Sequence, residues 1–244
     1  MRKFGLLGYP LSHSFSQKYF SDKFQREGIS DCSYENFSLP DLSRLPAILA
    51  DPELCGLNVT IPYKEQVIPF LHEKNGIVSE IHACNCIRIR DGKPVGYNTD
   101  VIGFERSLLK KWGSGHTRAL VLGTGGASKA VEYVLRKLGV DYRLVSRYPR
   151  PSTTDLSYIQ VDADLLKTHT LLINTTPLGM APNIEGYPPI PYEAIGPDHY
   201  LYDLVYNPER TLFLRKGEER GAVVENGHEM LLIQAEESWR IWNE

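Results

Sequence analysis

The segment Arg118 to Leu122 reads as a buried strand that runs straight into Gly123-Thr124-Gly125-Gly126-Ala127-Ser128, and a helical pattern continues from Ala127 to Leu138. A strand, a glycine turn and a helix in that order restrict the fold more than any other feature of this chain. Glycines let the backbone approach a ligand's pyrophosphate closely, and the helix start offers free amides and partial positive charge. The strict G-x-G-x-x-G spacing is not met, because Ser128 stands at the third glycine position. Taken alone, the turn is also compatible with a tight connection that binds nothing.

The chain beyond this unit keeps the same rhythm. Tyr142–Val145, Leu171–Asn174, Tyr200–Leu204 and Ala222–Glu225 are strand candidates, and Thr211–Glu219 and Glu229–Trp242 are helix candidates. Such alternation predicts an α/β fold with a parallel sheet covered by helices. The strand after the glycine turn ends in Ser146-Arg147-Tyr148-Pro149-Arg150. Folds that prefer NAD place a carboxylate near this point for the ribose 2′-hydroxyl. Here there is none, and Arg147 and Arg150 can pair with a 2′-phosphate, which favours NADP.

The first hundred residues have a different texture. Phe4–Leu7, Tyr34–Leu39 and Leu57–Ile61 read as strands, Ser16–Glu27 as a helix stopped near Gly28, and Lys64–Leu71 as a second helix. Asn85–Arg90 and Pro94–Tyr97, joined by Asp91-Gly92, read as a hairpin. Ile102–Trp112 is a helix, and the change near residue 100 predicts two domains. The last helix is compatible with either of them. Pro182 to Pro197 is read as a long loop.

Composition narrows the partners. The 244 residues carry a net charge of -3 with no basic surplus, which argues against nucleic acid or a charged membrane surface. The apolar start, Phe4 to Leu7, is too short for a signal peptide, and no run approaches the ~20 apolar residues of a membrane helix. The expected location is the cytoplasm. The four cysteines, Cys32, Cys55, Cys84 and Cys86, are read as reduced thiols, and no metal is expected.

Candidate chemistry sits mostly in the first half. In Asn58-Val59-Thr60-Ile61-Pro62-Tyr63-Lys64 and Gly96-Tyr97-Asn98-Thr99-Asp100, an ionisable side chain stands among small hydroxyl and amide groups. Mutual attraction would position Lys64 and favour an ionised Asp100. An ordinary surface ion pair is the bland alternative. Ser14 and Ser16 can converge on one anion such as a carboxylate, or Ser16 can serve as a helix cap. Asn58, Thr60, Asn85, Asp100 and Gln234 together suit a polyhydroxylated ring, although each alone reads as a turn or cap residue.

Laid out in order, these blocks resemble the shikimate dehydrogenase family over nearly the whole chain. The resemblance adds Asn174-Thr175-Thr176-Pro177-Leu178-Gly179-Met180, Asp203-Leu204-Val205-Tyr206-Asn207-Pro208 and Gly227-His228-Glu229-Met230-Leu231-Leu232-Ile233-Gln234-Ala235 to the segments already quoted. It implies two domains with a cleft between them. An N-terminal α/β substrate domain comprises 1–100 plus 228–244, so the last helix returns to it. A Rossmann-like NADP-binding domain comprises 101–227.

The resemblance also implies roles. Lys64 and Asp100 match the catalytic pair, without distinguishing the proton donor. Ser14 and Ser16 match a substrate-carboxylate clamp, and Asn58, Thr60, Asn85, Asp100, Tyr206 and Gln234 the remaining substrate contacts. Gly123, Thr124, Gly125, Gly126 and Ala127 match the pyrophosphate loop, with Thr175 close by. Ser146, Arg147 and Arg150 match the 2′-phosphate site, and Leu204, Gly227 and Met230 the nicotinamide end. The implied activity is reversible reduction of 3-dehydroshikimate to shikimate with NADPH, a step toward chorismate and the aromatic amino acids, by a monomer or homodimer. The chain departs from the family pattern at Gln17, Phe20-Ser21, Gly76, Cys86, Thr124 and Ser146-Arg147-Tyr148. The near rival is a quinate/shikimate dehydrogenase that prefers NAD; Ser16 and Arg147 both lean against it.

Overall fold

The computed structural model describes residues 1–11, 15–113, 115–151 and 153–244. They divide into two compact units, Met1–Thr99 with Gln234–Glu244, and Asp100–Ile233.

The first unit is built from β1 (Arg2–Gly8), α1 (Phe15–Glu27), β2 (Cys32–Ser38), α2 (Leu45–Leu49), β3 (Leu54–Val59), β4 (Glu73–Lys74), α3 (Gly76–Ile81), β5 (Cys86–Arg90) and β6 (Lys93–Tyr97). Its strands form one sheet in the order β2-β1-β3-β5-β6-β4. The β2, β1 and β3 strands run parallel, whereas β3–β5 and β5–β6 are antiparallel. Alternation along β1 sends its side chains to opposite faces. Phe4 and Leu6 meet Phe20, Phe24 and Trp242, while Leu7 meets Leu45, Val67 and Val78. Asp91 and Gly92 both take positive φ, 50° and 72°, as a two-residue hairpin turn matched to strand twist requires.

The helix expected at Lys64–Leu71 does not form. A run of turns leads into a short 3₁₀ segment, Ile68–Phe70. Pro69 explains this, because an α-helix through it would lose an amide donor and set its ring against the Glu65 carbonyl. The expected third strand also ends early, at Val59, which leaves Thr60 beyond it.

The second unit holds α4 (Asp100–Leu109), β7 (Arg118–Leu122), α5 (Gly126–Lys137), β8 (Asp141–Ser146), β9 (Leu156–Ser157), α6 (Ala163–Thr168), β10 (Leu171–Asn174), β11 (Tyr200–Asp203), α7 (Leu212–Glu218) and β12 (Val223–Glu225). The chain's last helix, α8 (His228–Trp242), begins in this unit and ends in the first. The sheet order is β12-β11-β10-β7-β8-β9, and every pairing is parallel. All residues of β10 and β11 are buried, which is why such strands read as unbroken apolar runs. Sequence order reverses direction between β7 and β10. Parallel doubly wound sheets bind ligands at that point, outside the carboxyl ends of the strands.

All four cysteines are free thiols, with Cys84 and Cys86 buried. Among the described residues no helix is long and apolar enough to cross a membrane.

Candidate active site

In the first unit, the residues singled out from sequence fall into a buried polar network and a group near its edge. The Tyr34 hydroxyl donates to Asn58 Oδ1 at 2.9 Å, and Asn58 Nδ2 donates to Ser238 Oγ at 2.9 Å. The Ser238 hydroxyl donates to the Gln234 carbonyl at 2.9 Å and lies 3.2 Å from the Thr99 hydroxyl. The Thr99 amide donates to Asn85 Oδ1 at 2.6 Å, and Asn85 Nδ2 returns a bond to Thr99 Oγ1 at 3.0 Å. Ser16, inside the first turn of α1 rather than at its cap, is buried and bonds the Tyr34 phenol. Burial pushes that phenol well above its ordinary pKa, so it stays neutral.

Asn58, Asn85, Gln234 and Ser16 therefore come together, through Tyr34, Thr99 and Ser238. Sequence pattern alone does not single out Thr99 or Ser238. A signal exists for both: Thr99 stands beside Asp100, and Ser238 lies one helical turn past Gln234, where helical residues share a face. Thr60 follows β3, with its amide bonded to the Leu7 carbonyl at 2.9 Å. Lys64 is half-buried in the turns after it, held by a 2.7 Å bond from the Cys84 amide to its carbonyl. Ser14 lies outside the described residues, as do Ser12 and His13.

In the second unit, Asp100 is the first residue of α4 and is buried.

The glycine turn combines one position that only glycine suits with two that stay open. Gly123 takes φ of +118°, and a Cβ there would meet Thr175 Oγ1 at 2.6 Å. Gly125 and Gly126 have open space where a Cβ would stand. No side chain caps the first turn of α5, although the Ser128 amide is taken by the Gly125 carbonyl at 3.0 Å. Ser128 does not spoil the turn. Its hydroxyl folds back onto the Gly125 carbonyl at 2.8 Å and its side chain is buried. Thr175 reaches back to the end of β7, bonding the Leu122 carbonyl through its amide at 2.9 Å and its hydroxyl at 3.0 Å.

At the end of β8, Ser146 Oγ accepts from the Tyr148 amide at 3.2 Å and so shapes the tip. Arg147 projects from that tip, exposed. Arg150 does not project in the same way. Asp155 grips it at 2.7 and 3.1 Å, which holds the Asp155 carboxyl below its usual range.

Leu204, Tyr206 and Gly227 lie beyond the ends of β11 and β12, and Met230 lies on the first turn of α8. Gly227 packs against backbone so closely that a Cβ would come within 2.1 Å of the Leu204 carbonyl oxygen. Beneath them is a group that sequence pattern does not mark. Asp203 is fully buried and accepts from Asn174, Val205 and Thr211. Burial outweighs those bonds and pushes its carboxyl up to about 7. Among the described residues no group of three or more His, Cys, Asp or Glu side chains could hold a metal ion.

Residues 6–87 match the family described as the shikimate dehydrogenase substrate binding domain. The shikimate dehydrogenase (NADP(+)) of Caldicellulosiruptor saccharolyticus is 37% identical to this chain over 99% of it and 92% of that protein. A chorismate mutase/shikimate 5-dehydrogenase fusion protein from Clostridium acetobutylicum superposes with a TM-score of 0.90 at 34% identity, covering 100% of this chain and 91% of that one. The shikimate 5-dehydrogenase of Thermus thermophilus, solved in complex with NADP(H) and shikimate, superposes with a TM-score of 0.87 at 30% identity, over 99% and 93% of the two chains. With similarity running the length of the molecule, the chain belongs to the shikimate dehydrogenase family.

Proposed function

We propose that this chain is an NADP-dependent shikimate dehydrogenase, an oxidoreductase that reversibly reduces 3-dehydroshikimate to shikimate on the route to chorismate and the aromatic amino acids. The observation that carries this reading is the end-to-end similarity, at 37% identity, to a protein named for that reaction. The glycine turn at the switch point of the parallel sheet, with Arg147 at the neighbouring strand tip, supports it independently.

Residues 1–100 plus 228–244 form the substrate-binding catalytic domain in this reading, and 101–227 the NADP-binding domain. When bound, NADPH supplies the hydride that reduces the ring carbonyl. Everything else falls to side chains of the chain itself. Lys64 stabilises the oxyanion that develops on the ring or helps protonate it, and Asp100 orients a ring hydroxyl. Positioned acid–base help of this kind is worth ~10²–10⁴-fold. Ser14 and Ser16 hold the substrate carboxylate through their hydroxyls. Thr60, Asn85, Tyr206 and Gln234 supply hydroxyl and amide contacts, and Asn58 fixes their surroundings through Tyr34 and Ser238. Gly123, Thr124, Gly125, Gly126 and Ala127, with Thr175, cradle the pyrophosphate, and Leu204, Gly227 and Met230 line the nicotinamide end.

Arg147 and Ser146 take the 2′-phosphate. Arg150 contributes by bracing the loop through Asp155, where its guanidinium is already engaged. The reading places the enzyme in the cytoplasm, as a monomer or homodimer without nucleic-acid or membrane partners.

The test is to follow NADPH absorbance with shikimate and NADP⁺, with quinate and NAD⁺ in parallel. Turnover confined to shikimate with NADP⁺ is expected. Faster turnover with quinate and NAD⁺ would replace this reading by its near rival, and silence with every pair from folded protein would overturn both.

A further inference from the structure

Asn174 and Asp203 are the last residues of neighbouring strands and stand directly opposite each other in the β10–β11 register. Both are fully buried, so neither side chain is placed to touch a ligand. Their polar atoms turn instead toward the connections that leave the sheet. Asn174 Nδ2 donates to Asp203 Oδ1 at 2.9 Å, and Asn174 Oδ1 accepts from the Thr176 amide at 3.1 Å and hydroxyl at 2.6 Å. Asp203 Oδ1 also accepts from the Val205 amide at 3.0 Å, and Oδ2 accepts from the Thr211 hydroxyl at 2.6 Å. Backbone bonds extend the chain of contacts. The Leu204 amide donates to the Asn174 carbonyl at 3.0 Å, and the Gly227 amide to the Val205 carbonyl at 3.2 Å. The connections after β10 and β11 thus converge on one amide–carboxylate pair, and the connection after β12 joins it through Val205.

We propose that the Asn174–Asp203 pair is a positioning hub that sets the height and direction of the Leu204–Gly227 backbone contact, and through it the nicotinamide end of the site. The inference rests on the proposed function, which assigns Leu204 and Gly227 to that end.

The physical reason is tolerance. Leu204 and Gly227 are packed backbone on backbone, with no room for even a methyl group between them. A displacement of about 1 Å near reacting atoms costs on the order of 10²-fold in rate. A buried carboxylate is expensive to keep, yet it can take donors from several directions at once. Here its three donors come from the end of β10 and from two points of the β11–α7 connection, Val205 and Thr211, so it fixes the two segments together. An apolar side chain would fill the space and hold none of them. The anchors of the rest of the cofactor, Gly123–Ala127 and Arg147, are not bonded to this pair, and Thr175, next to Asn174, is held by the Leu122 carbonyl instead, so cofactor affinity and hydride-transfer geometry separate.

The test uses the full chain with Asp203→Ala, Asn174→Ala and Asp203→Asn. Both alanine variants are expected to lose on the order of 10²-fold in kcat with shikimate and NADP⁺. Their NADP⁺ affinity by titration calorimetry should stay within about threefold. Deuterium at the shikimate carbon that gives up the hydride should then slow turnover more than it does in the unmodified protein. Asp203→Asn, which keeps an oxygen for Asn174 and Val205, should recover most of the loss. The double alanine variant should be little worse than the poorer single one, as members of one unit behave.

A second readout needs neither cofactor nor turnover. Amide hydrogen exchange at Leu204–Tyr206 and Gly227 should quicken in the alanine variants, while β7 exchanges as before. Should Asp203→Ala fail to fold, Thr211→Val withdraws one donor and carries the same comparison. The proposal is overturned by unchanged kcat and exchange in folded variants, or by kcat and NADP⁺ affinity falling in parallel. If the unmodified protein does not turn over shikimate, the functional reading fails, and the exchange measurement still decides the hub.

Discussion

Each unit buries a polar cluster, and the two are made of different chemistry. In the first, Tyr34, Asn58, Ser238, Thr99, Asn85 and Gln234 join through amides and hydroxyls alone. In the second, Asn174, Thr211 and the Val205 amide close on the carboxyl group of Asp203. A neutral network is desolvated at moderate cost and ignores pH across the physiological range. A network with a carboxylate at its centre gathers more donors but becomes a titrating element, because burial raises the carboxyl to about 7 despite three hydrogen bonds. Rigid support can be built either way, and only one way leaves a pH signature.

The largest expected effect tests the division of labour between the units. Lys64→Ala should lower kcat by ~10²–10⁴-fold with NADP⁺ affinity unchanged. Equal loss of cofactor affinity would show that Lys64 acts through the second unit as well.

Next is the pH contrast itself. The Asp203 carboxyl titrates higher in the folded chain than in the unfolded one, so its contribution to stability is full below pH ~4 and is lost as pH rises through about 7. The stability of the wild type relative to Asp203→Asn should therefore fall by about 3 kcal/mol between pH 5 and pH 8 in urea unfolding. Asn58→Ala removes the acceptor of the Tyr34 phenol and a donor to Ser238 and should cost on the order of 2 kcal/mol, by the same amount at both pH values. A pH-dependent Asn58→Ala cost, or a flat Asp203→Asn difference, would erase the distinction between the clusters.

A smaller effect concerns the 2′-phosphate. Arg147→Ala should weaken NADP⁺ by about 2 kcal/mol and leave NAD⁺ nearly untouched, as the loss of a charge-assisted bond predicts. Equal weakening of both cofactors would remove Arg147 from the phosphate site. The smallest is at the glycine turn. Ser128→Gly restores the strict spacing, yet it should cost about 1 kcal/mol of stability from helix propensity and the lost bond to Gly125. NADP⁺ binding measured by calorimetry should hardly move. A marked gain in affinity would mean that Ser128 restricts the turn rather than fitting it.

Much of this molecule is legible along the chain because its information is local. The β7–turn–α5 unit announces itself through an apolar run, glycines and a helical period, all within twenty residues or so. The hairpin is written in Asp91-Gly92, since only residues tolerant of positive φ suit that turn. The α2, α3 and α6 helices have five or six residues each, too few to establish a period, and they escape such a reading. The Lys64–Leu71 helix fails for a local reason that is present in the sequence, Pro69.

The candidate site divides along the same line. Residue types and their order point to Lys64, Asp100, the glycine turn and Arg147, because reactive or permissive side chains stand out from their neighbours. The sequence cannot say that Arg150 is spent on Asp155, since an exposed and a paired guanidinium look alike in one dimension. Nor can it say that Asp203 is a buried hub, because its burial and the approach of Asn174 arise only when β10 and β11 pair. By itself the sequence determined the alternation of elements, the cofactor-type turn and the set of reactive groups, all consequences of local sterics and chemical identity. Tertiary structure alone decided which polar groups are consumed in holding the scaffold, because a hydrogen-bond partner far along the chain exists only once the sheet brings it within about 3 Å.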